Sequence, residues 1–345
     1  MKNTIVTGKL IAGLAAIALL FAAIWGGTAW LEQRNSLEEA GRELTTAEES
    51  AVETVENTVF LDDRDYVYDH RIETFLFIGT DNSGSKDEDR YEGHMADFLL
   101  LMVLDYTDDS CGSIQIDRNT ITDVYMLDDA DEMFSSREMQ ICVANMYGTT
   151  PDVSARNTVE AVKNLLGELS AIDGYYVMNM GDIGALNRAV GGVEVTVKDD
   201  LTALDPGLTA GAKVNLSDSQ AESFVRGRMS LSDATNEARM GRQTQYMSGL
   251  FEKIRTHTME NPGYGLELFD TLRSCAVTNM TGKDFSRIAR MLLKGRDKGI
   301  LRIKGKTMTG RVLDDGQEHE EFYADPASVL DTMTELFTLV PQPEN

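Results

Sequence analysis

Positive charge is what this sequence has least of for its size. Its 345 residues carry 32 Lys and Arg against 57 Asp and Glu, a formal net charge of -25. So acidic a chain offers no basic face to a phosphate backbone, which excludes nucleic acid as a partner. Histidine is scarce as well, with four scattered residues. No His-Glu-x-x-His, no Gly-x-Ser-x-Gly elbow and no catalytic Cys/His pair is present, so hydrolase chemistry of those kinds has no residues to run on. Three cysteines, Cys111, Cys142 and Cys275, have no metal-ligand spacing and cannot all pair with one another. They read as buried thiols, with a Cys111–Cys142 disulfide as the alternative in an oxidising location.

Long charge-free runs are also lacking, with one exception. Leu10 to Leu31 holds no charged residue; Lys2 and Lys9 precede it, and Glu32, Arg34, Glu38 and Glu39 follow. Twenty or so apolar residues suffice to span a bilayer. The run is long for the apolar region of a secretory signal, the alternative that Gly27-Thr28-Ala29 leaves open, and it reads as an uncleaved single-pass anchor. Lysines ahead of the span place the N-terminus in the cytoplasm and the bulk of the chain outside it. The expected order is a cytoplasmic tail (1–9), a transmembrane anchor (10–31), an acidic stalk or linker (32–70) and an extracytoplasmic domain (71–345). Residues 32–69 carry twelve acids against three arginines, which suits a solvated spacer, with a helix packed on the domain as the alternative.

Beyond the spacer the pattern is globular, and 42 % hydrophobic content is enough for a substantial core. Thr74 to Thr80 and Phe98 to Leu104 are continuous apolar runs, as strands buried on both faces should be. Ser113-Ile114-Gln115-Ile116-Asp117 alternates like a third strand. A helical period fits Ser154–Leu169, a strand Tyr175–Met180, a short helix Asp182–Val190 and a strand Val193–Val197. Ser217-Asp218-Ser219-Gln220 has the form of a capping box opening a helix that ends at Arg226. A longer helix begins near Asn236; covering helices follow at 266–272, 285–293 and 327–339, and 300–312 alternates like a strand or hairpin. Strands interleaved with helices make the fold α/β: a central mixed β-sheet flanked by helices, with the N-terminal transmembrane helix ahead of it.

Two features carry chemistry. Asp81 and Asp97 stand at the ends of two buried strands flanking one polar loop, positions from which two carboxylates, with waters and substrate oxygens, suit Mg²⁺. Arg226, Arg228, Arg239 and Arg242 fall within 17 residues of an otherwise acidic chain. Guanidinium groups are always charged and fork-shaped, which suits phosphate. Arg239 and Arg242, at i,i+3, share a face of a helix start whose backbone donors also favour anions. The competing reading is a solvated helix start neutralised by Asp233 and Glu237.

The order of these motifs resembles the LytR-CpsA-Psr family, membrane-anchored bacterial enzymes that attach phosphate-linked glycopolymers to peptidoglycan. Phe77-Ile78-Gly79-Thr80-Asp81 resembles the family's first strand with its acid, Ala96-Asp97-Phe98 its second acid, and Ile116-Asp117-Arg118-Asn119-Thr120 its strand-end arginine motif. Tyr175 through Gly192-Val193-Glu194-Val195 resembles the central segment, and Arg226-Gly227-Arg228 with Arg239-Met240-Gly241-Arg242-Gln243 the terminal arginine motifs. The likeness spans 75–254. It implies that Asp81 and Asp97 hold Mg²⁺ and that Arg118, Arg226, Arg228, Arg239, Arg242 and Gln243 bind the pyrophosphate of a polyprenyl-linked donor, with Asp97, Arg118, Arg226 and Arg228 acting in catalysis.

Three positions depart from the motifs. Asn82-Ser83-Gly84 stands where an arginine is usual after the first acid, leaving Lys86 or Arg90 as substitutes; Asn119 and Asn236 stand where acids are usual. The resemblance implies a phosphotransferase in cell-wall biogenesis, in which a peptidoglycan sugar hydroxyl attacks the donor's proximal phosphorus and polyprenyl phosphate leaves. The general base stays open. The alternative is a non-catalytic scaffold or regulator that binds the same lipid pyrophosphate or a wall polymer. A lipid tail needs an apolar tunnel, which the Leu, Met and Phe of the covering helices could line unless they are plain core.

Overall fold

A strand that is apolar at every position has no side to turn to water, so it must lie mid-sheet under cover on both faces. The two longest apolar runs do so in the computed structural model, which describes residues 57–68, 71–81, 91–227, 231 and 233–342. In chain order the strands are β1 (Thr58–Leu61), β2 (Arg64–Val67), β3 (Ile72–Thr80), β4 (Ala96–Asp105), β5 (Ser110–Ile116), β6 (Ile121–Leu127), β7 (Met133–Gln140), β8 (Gly174–Asn179), β9 (Glu194–Thr196), β10 (Lys213–Asn215), β11 (Ala276–Thr278), β12 (Arg296–Arg302), β13 (Gly305–Gly310), β14 (His319–Ala324) and β15 (Val340–Pro341). The α-helices are α1 (Pro151–Leu165), α2 (Ile183–Ala189), α3 (Asp218–Arg226), α4 (Asn236–Glu260), α5 (Tyr264–Leu272), α6 (Gly282–Lys294) and α7 (Pro326–Phe337).

Six strands form the central sheet in the order β11-β8-β3-β4-β5-β12. The pairs β3–β4, β4–β5 and β8–β11 are antiparallel, while β3–β8 and β5–β12 are parallel, so the sheet is mixed. Alternation divides each strand between two cores. Leu76, Ile78, Leu99, Leu101, Ile114 and Ile116 face one side, where Ala161 and Val162 of α1 and Met333 and Phe337 of α7 cover them. Phe75, Met102 and Leu104 face the other, with Leu250 of α4, Leu268 of α5 and Ile288 of α6. Cys142 belongs to the first core and Cys111 to the second; both are free, buried thiols, as expected, since the sheet lies between them. Cys275, also free, is only half-buried.

The folded unit begins earlier than the expected boundary near 71. β1 and β2 fall inside the stretch read as spacer; they pair with each other and, through β2, with β15 at the far end of the chain. Val59, Leu61, Tyr66 and Tyr68 are buried there. Their apolar residues are few, and the acids around them mask the alternation. The hairpin β6–β7 was also not evident in the sequence, because β7 exposes six of its eight residues and shows no buried stripe. The stretch 300–312 divides between β12 of the central sheet and β13, which pairs with β14. The expected tail at 1–9, anchor at 10–31 and spacer at 32–56 lie outside the described residues. No helix among the described residues is long and apolar enough to cross a membrane.

A chain begun at Glu56 should therefore keep its stability, whereas one begun at Arg71 should lose on the order of 4 kcal/mol or more, at about 1.5–3 kcal/mol per large side chain returned to water. Urea denaturation of the two truncations measures this; equal midpoints would mean that β1 and β2 add nothing to the fold.

Candidate functional site

The site is built where β3 and β4 end. Thr80 pairs with Ala96 and Gly79 with Phe98, so Asp97 is the extra residue of a bulge in β4, and Asp81 follows directly on the partner strand. A bulge re-aims the side chain it carries. Gly79 is needed opposite it, because a Cβ there would stand 3.0 Å from Phe98 Cβ and 3.1 Å from Met180 Cγ.

Arg118, two residues past the end of β5, donates from Nη1 to Asp97 Oδ1, and Arg239 Nη1 from the first turn of α4 approaches the same oxygen at 3.6 Å. Arg118 also turns Nη2 to Met95 Sδ and, at 3.4 Å, to Cys142 Sγ. A second pair lies beside the first: Arg226, the last residue of α3, donates from Nη2 to Asp81 Oδ2 at 2.7 Å and from Nη1 to Glu222 Oε1 at 2.5 Å. The Asp97 and Arg118 side chains are only 14 % and 18 % exposed, against 33 % and 26 % for Asp81 and Arg226, so the first cluster is the drier and the more strongly coupled. Arg228 lies outside the described residues.

The helix α4 is started by Thr235, whose hydroxyl accepts from Ala238 N at 3.2 Å. The capping box at Ser217 and Gln220 opens α3 as the sequence indicated. Arg242, expected to reach the pyrophosphate, directs Nε to Phe224 O at 3.0 Å and Nη2 to Gly227 O, so it ties the C-terminus of α3 to α4. Burial pulls its guanidinium below the usual arginine range. Gln243 accepts from Gln115 Nε2 at 3.2 Å, while its own Nε2 is buried with no hydrogen-bond partner among the described residues. One turn on, the Tyr246 hydroxyl is buried and likewise without a partner.

Gln243 and Tyr246 are among the residues that line an apolar cavity of about 1000 Å³, part of it open to solvent, between the second face of the sheet and its helices. Phe77, Phe98 and Met178 form its floor; Leu250 and Ile254 of α4, with Ile288 of α6, form its roof. Gly79, Phe98 and Val225 put its lining within one or two residues of Asp81, Asp97 and Arg226. An amphiphile with an apolar tail and a doubly anionic head would meet both halves of this arrangement.

The sequence pattern of the LytR_cpsA_psr family matches residues 35–335. The chain belongs to that family. Solved structures similar to this LytR-CpsA-Psr chain include protein gbs0355 from Streptococcus agalactiae (17 % identity, 77 % of this chain and 88 % of that one, TM-score 0.61) and TagV from B. subtilis (18 %, 79 % and 99 %, 0.58). TagT bound to LI-WTA is similar over 77 % of this chain and 90 % of its own, at 15 % identity and TM-score 0.56. No curated protein matches the chain.

Several residues that build this LytR-CpsA-Psr site were not singled out by the sequence. Asp117 Oδ1 accepts from Asn119 N at 2.8 Å and from Asn236 Nδ2 at 2.7 Å; Asn236 Oδ1 in turn accepts from Arg239 Nη2 at 2.7 Å. Arg302 of β12 donates to Gln115 Oε1 at 3.1 Å and to Glu237 at 2.5 Å, in a polar network under Gln243. A glutamine between two isoleucines in a buried strand was the available signal for that network. Asn119 points elsewhere, to Glu320 Oε1 at 2.7 Å, and holds β14.

Two guanidiniums share Asp97, so Asp97→Asn should be far more costly to the fold than its size suggests. Removing one partner of a buried ion pair costs about 3–5 kcal/mol, against roughly 0–1 kcal/mol for an exposed one. Asp81→Asn, in the wetter pair, should cost much less. Denaturation of the two variants checks this; equal losses would contradict the ranking of the two clusters.

Proposed function

We propose that this protein is a phosphotransferase of the cell envelope: it attaches a polyprenyl-pyrophosphate-linked glycopolymer to a peptidoglycan sugar hydroxyl through a phosphodiester. The observation that carries this reading is an apolar cavity whose lining comes within one or two residues of Asp81, Asp97 and Arg226, so that an apolar tail and an anionic head would find their partners side by side. Membership of the family supports the same assignment. TagT, similar in fold and bound to LI-WTA, supports a glycopolymer on a lipid as the ligand class.

In this reading the tunnel takes the prenyl chain, and Arg118, Arg226, Arg228 and Arg239 grip the pyrophosphate. When the acceptor hydroxyl attacks the proximal phosphorus, charge builds on the phosphoryl oxygens. Arginines fixed in a dry pocket stabilise it, at roughly 3–4 kcal/mol for one well-aimed donor. Polyprenyl phosphate leaves. Asp97, engaged by two arginines, would exchange part of that contact for the ligand, as would Asp81.

No group of three or more metal-binding side chains stands together among the described residues. Two carboxylates at neighbouring strand ends nonetheless fit Mg²⁺, which commonly takes one or two carboxylates and completes its shell with phosphate oxygens and water. Asp81 and Asp97 would hold it, and the ion would supply charge neutralisation to the phosphates. The single-pass anchor at 10–31 would keep the domain on the outer face of the bacterial membrane, where lipid-linked donor and peptidoglycan meet.

An in vitro transfer assay with a lipid-linked oligosaccharide and purified peptidoglycan, with and without Mg²⁺, tests the reading. Transfer that requires Mg²⁺ and is lost in Asp81→Ala and Asp97→Ala is expected; binding without transfer would leave a scaffold or regulator of the envelope. Arg→Ala at 118, 226, 228 or 239 should each weaken lipid pyrophosphate binding by about 1.5–3 kcal/mol, the range of charge-assisted bonds. Met247→Trp, which fills the tunnel, should abolish binding of long prenyl chains and spare short ones. Calorimetry on these variants decides, and unchanged affinity in all of them would end the proposal.

A further inference from the structure

Asn236 stands between a group that can only accept hydrogen bonds and a group that can only donate them. Asp117 Oδ1 lies 2.7 Å from its Nδ2, and Arg239 Nη2 lies 2.7 Å from its Oδ1. A carboxylate and a guanidinium fix the orientation of an amide between them, because the reverse orientation would set acceptor against acceptor and donor against donor. Asp117 is held in turn by Asn119 N at 2.8 Å. The connected set runs from Asp117 through Asn236 to Arg239, and from Arg239 across Asp97 to Arg118. Asp117 and Asn236 are 119 positions apart in sequence, so their contact is made only by the fold.

We propose that Asp117 and Asn236 are a positioning pair for Arg239: the charge sits on Asp117, and the amide of Asn236 transmits it by holding the guanidinium toward Asp97. This inference rests on the proposed role of Arg239 in gripping a pyrophosphate. It accounts for the amide at 236 by its neighbours alone. With a carboxylate at that position, two carboxylates would face each other at hydrogen-bond distance, and both cannot be ionised there. Burial, the largest influence, holds the Asp117 carboxyl above the usual range; Glu320 of β14 opposes its ionisation and Arg239 of α4 favours it, and the neighbouring Arg118 and the buried Cys142 thiol also feel its charge. A second acid at 236 would push the pair further above that range.

The test is a charge exchange. Asn236→Asp, Asp117→Asn and the double exchange D117N/N236D are made in the full chain, and affinity for geranylgeranyl pyrophosphate is measured beside the melting temperature of the ligand-free proteins. N236D should bind about tenfold more weakly at neutral pH, and its deficit should shrink as pH falls from about 8 to about 5, when the carboxylate pair retains a proton. The double exchange should return to within about threefold of the original protein and lose that pH dependence. Asp117 Oδ1 meets both Asn119 N and Asn236 Nδ2, so in the double exchange the amide at position 117 turns its nitrogen to the carboxylate introduced at position 236 and gives up the bond from Asn119 N, which is why recovery stops short of the original protein. D117N alone should weaken binding without lowering the melting temperature at neutral pH, because the residue removed is a carboxylate that burial disfavours; a purely structural residue would lower both. The proposal is overturned if the double exchange is no better than N236D, or if N236D binds as the original protein does at every pH. If the original protein does not bind the prenyl pyrophosphate at all, the proposed function fails. The pair is then judged by the ligand-free melting temperatures: recovery of N236D by D117N upholds it, and no recovery overturns it.

Discussion

A single carboxylate shared by two guanidinium groups sets the terms for the rest of this site. Arg118 and Arg239 come from the end of a strand and the start of a helix, and neither can be taken out of water beside the other without a counter-charge. Asp97 provides it, and reaches both because it is the extra residue of a bulge opposite Gly79. The same requirement repeats at Asp81, which with Glu222 balances Arg226, and at Arg242, whose donors turn to the carbonyls of Phe224 and Gly227. Each arginine thus fixes one element end to another, and the cluster that would bind an anion also ties together the elements that meet at this end of the central strands.

An acidic chain and a cluster of arginines beside an apolar cavity are compatible for that reason. Net charge is a property of the exterior and of solubility; the field inside a cleft depends on the few charges that line it and on how dry it is. Here Asp81, Asp97 and Glu222 sit among Arg118, Arg226 and Arg239, so this cluster by itself is close to balanced.

How far this was legible in the sequence divides along a physical line. Elements whose burial is complete were plain: the uninterrupted runs of β3 and β4 could only be mid-sheet strands, and the capping box at Ser217 is local chemistry that any sequence shows. Asp81, Asp97, Arg118 and Arg239 stand out in the sequence because they sit at element ends in motif order. Asp117 carries no signal of its own within the motif Ile116-Asp117-Arg118, and Asn236 shows only as a departure from an acid; what makes them a unit is a contact across 119 positions that no periodicity encodes. Arg242 shares a helix face with Arg239, yet side-chain direction depends on which acceptors the fold brings near, and the carbonyls at the end of α3 took it. The strands β1 and β2 were hidden because four buried residues among many acids give too short an alternation to stand out.

In the proposed function, one amphiphilic ligand occupies the apolar cavity and the arginine cluster together. A crystal structure of the domain with a prenyl pyrophosphate tests it most directly. The tail should lie between Phe77 and Phe98 of the sheet and Leu250 and Ile254 of α4, with the phosphate oxygens within hydrogen-bond distance of Arg118 and Arg239. A tail bound on the opposite face of the sheet, or a pyrophosphate held away from Arg118 and Arg239, would contradict it.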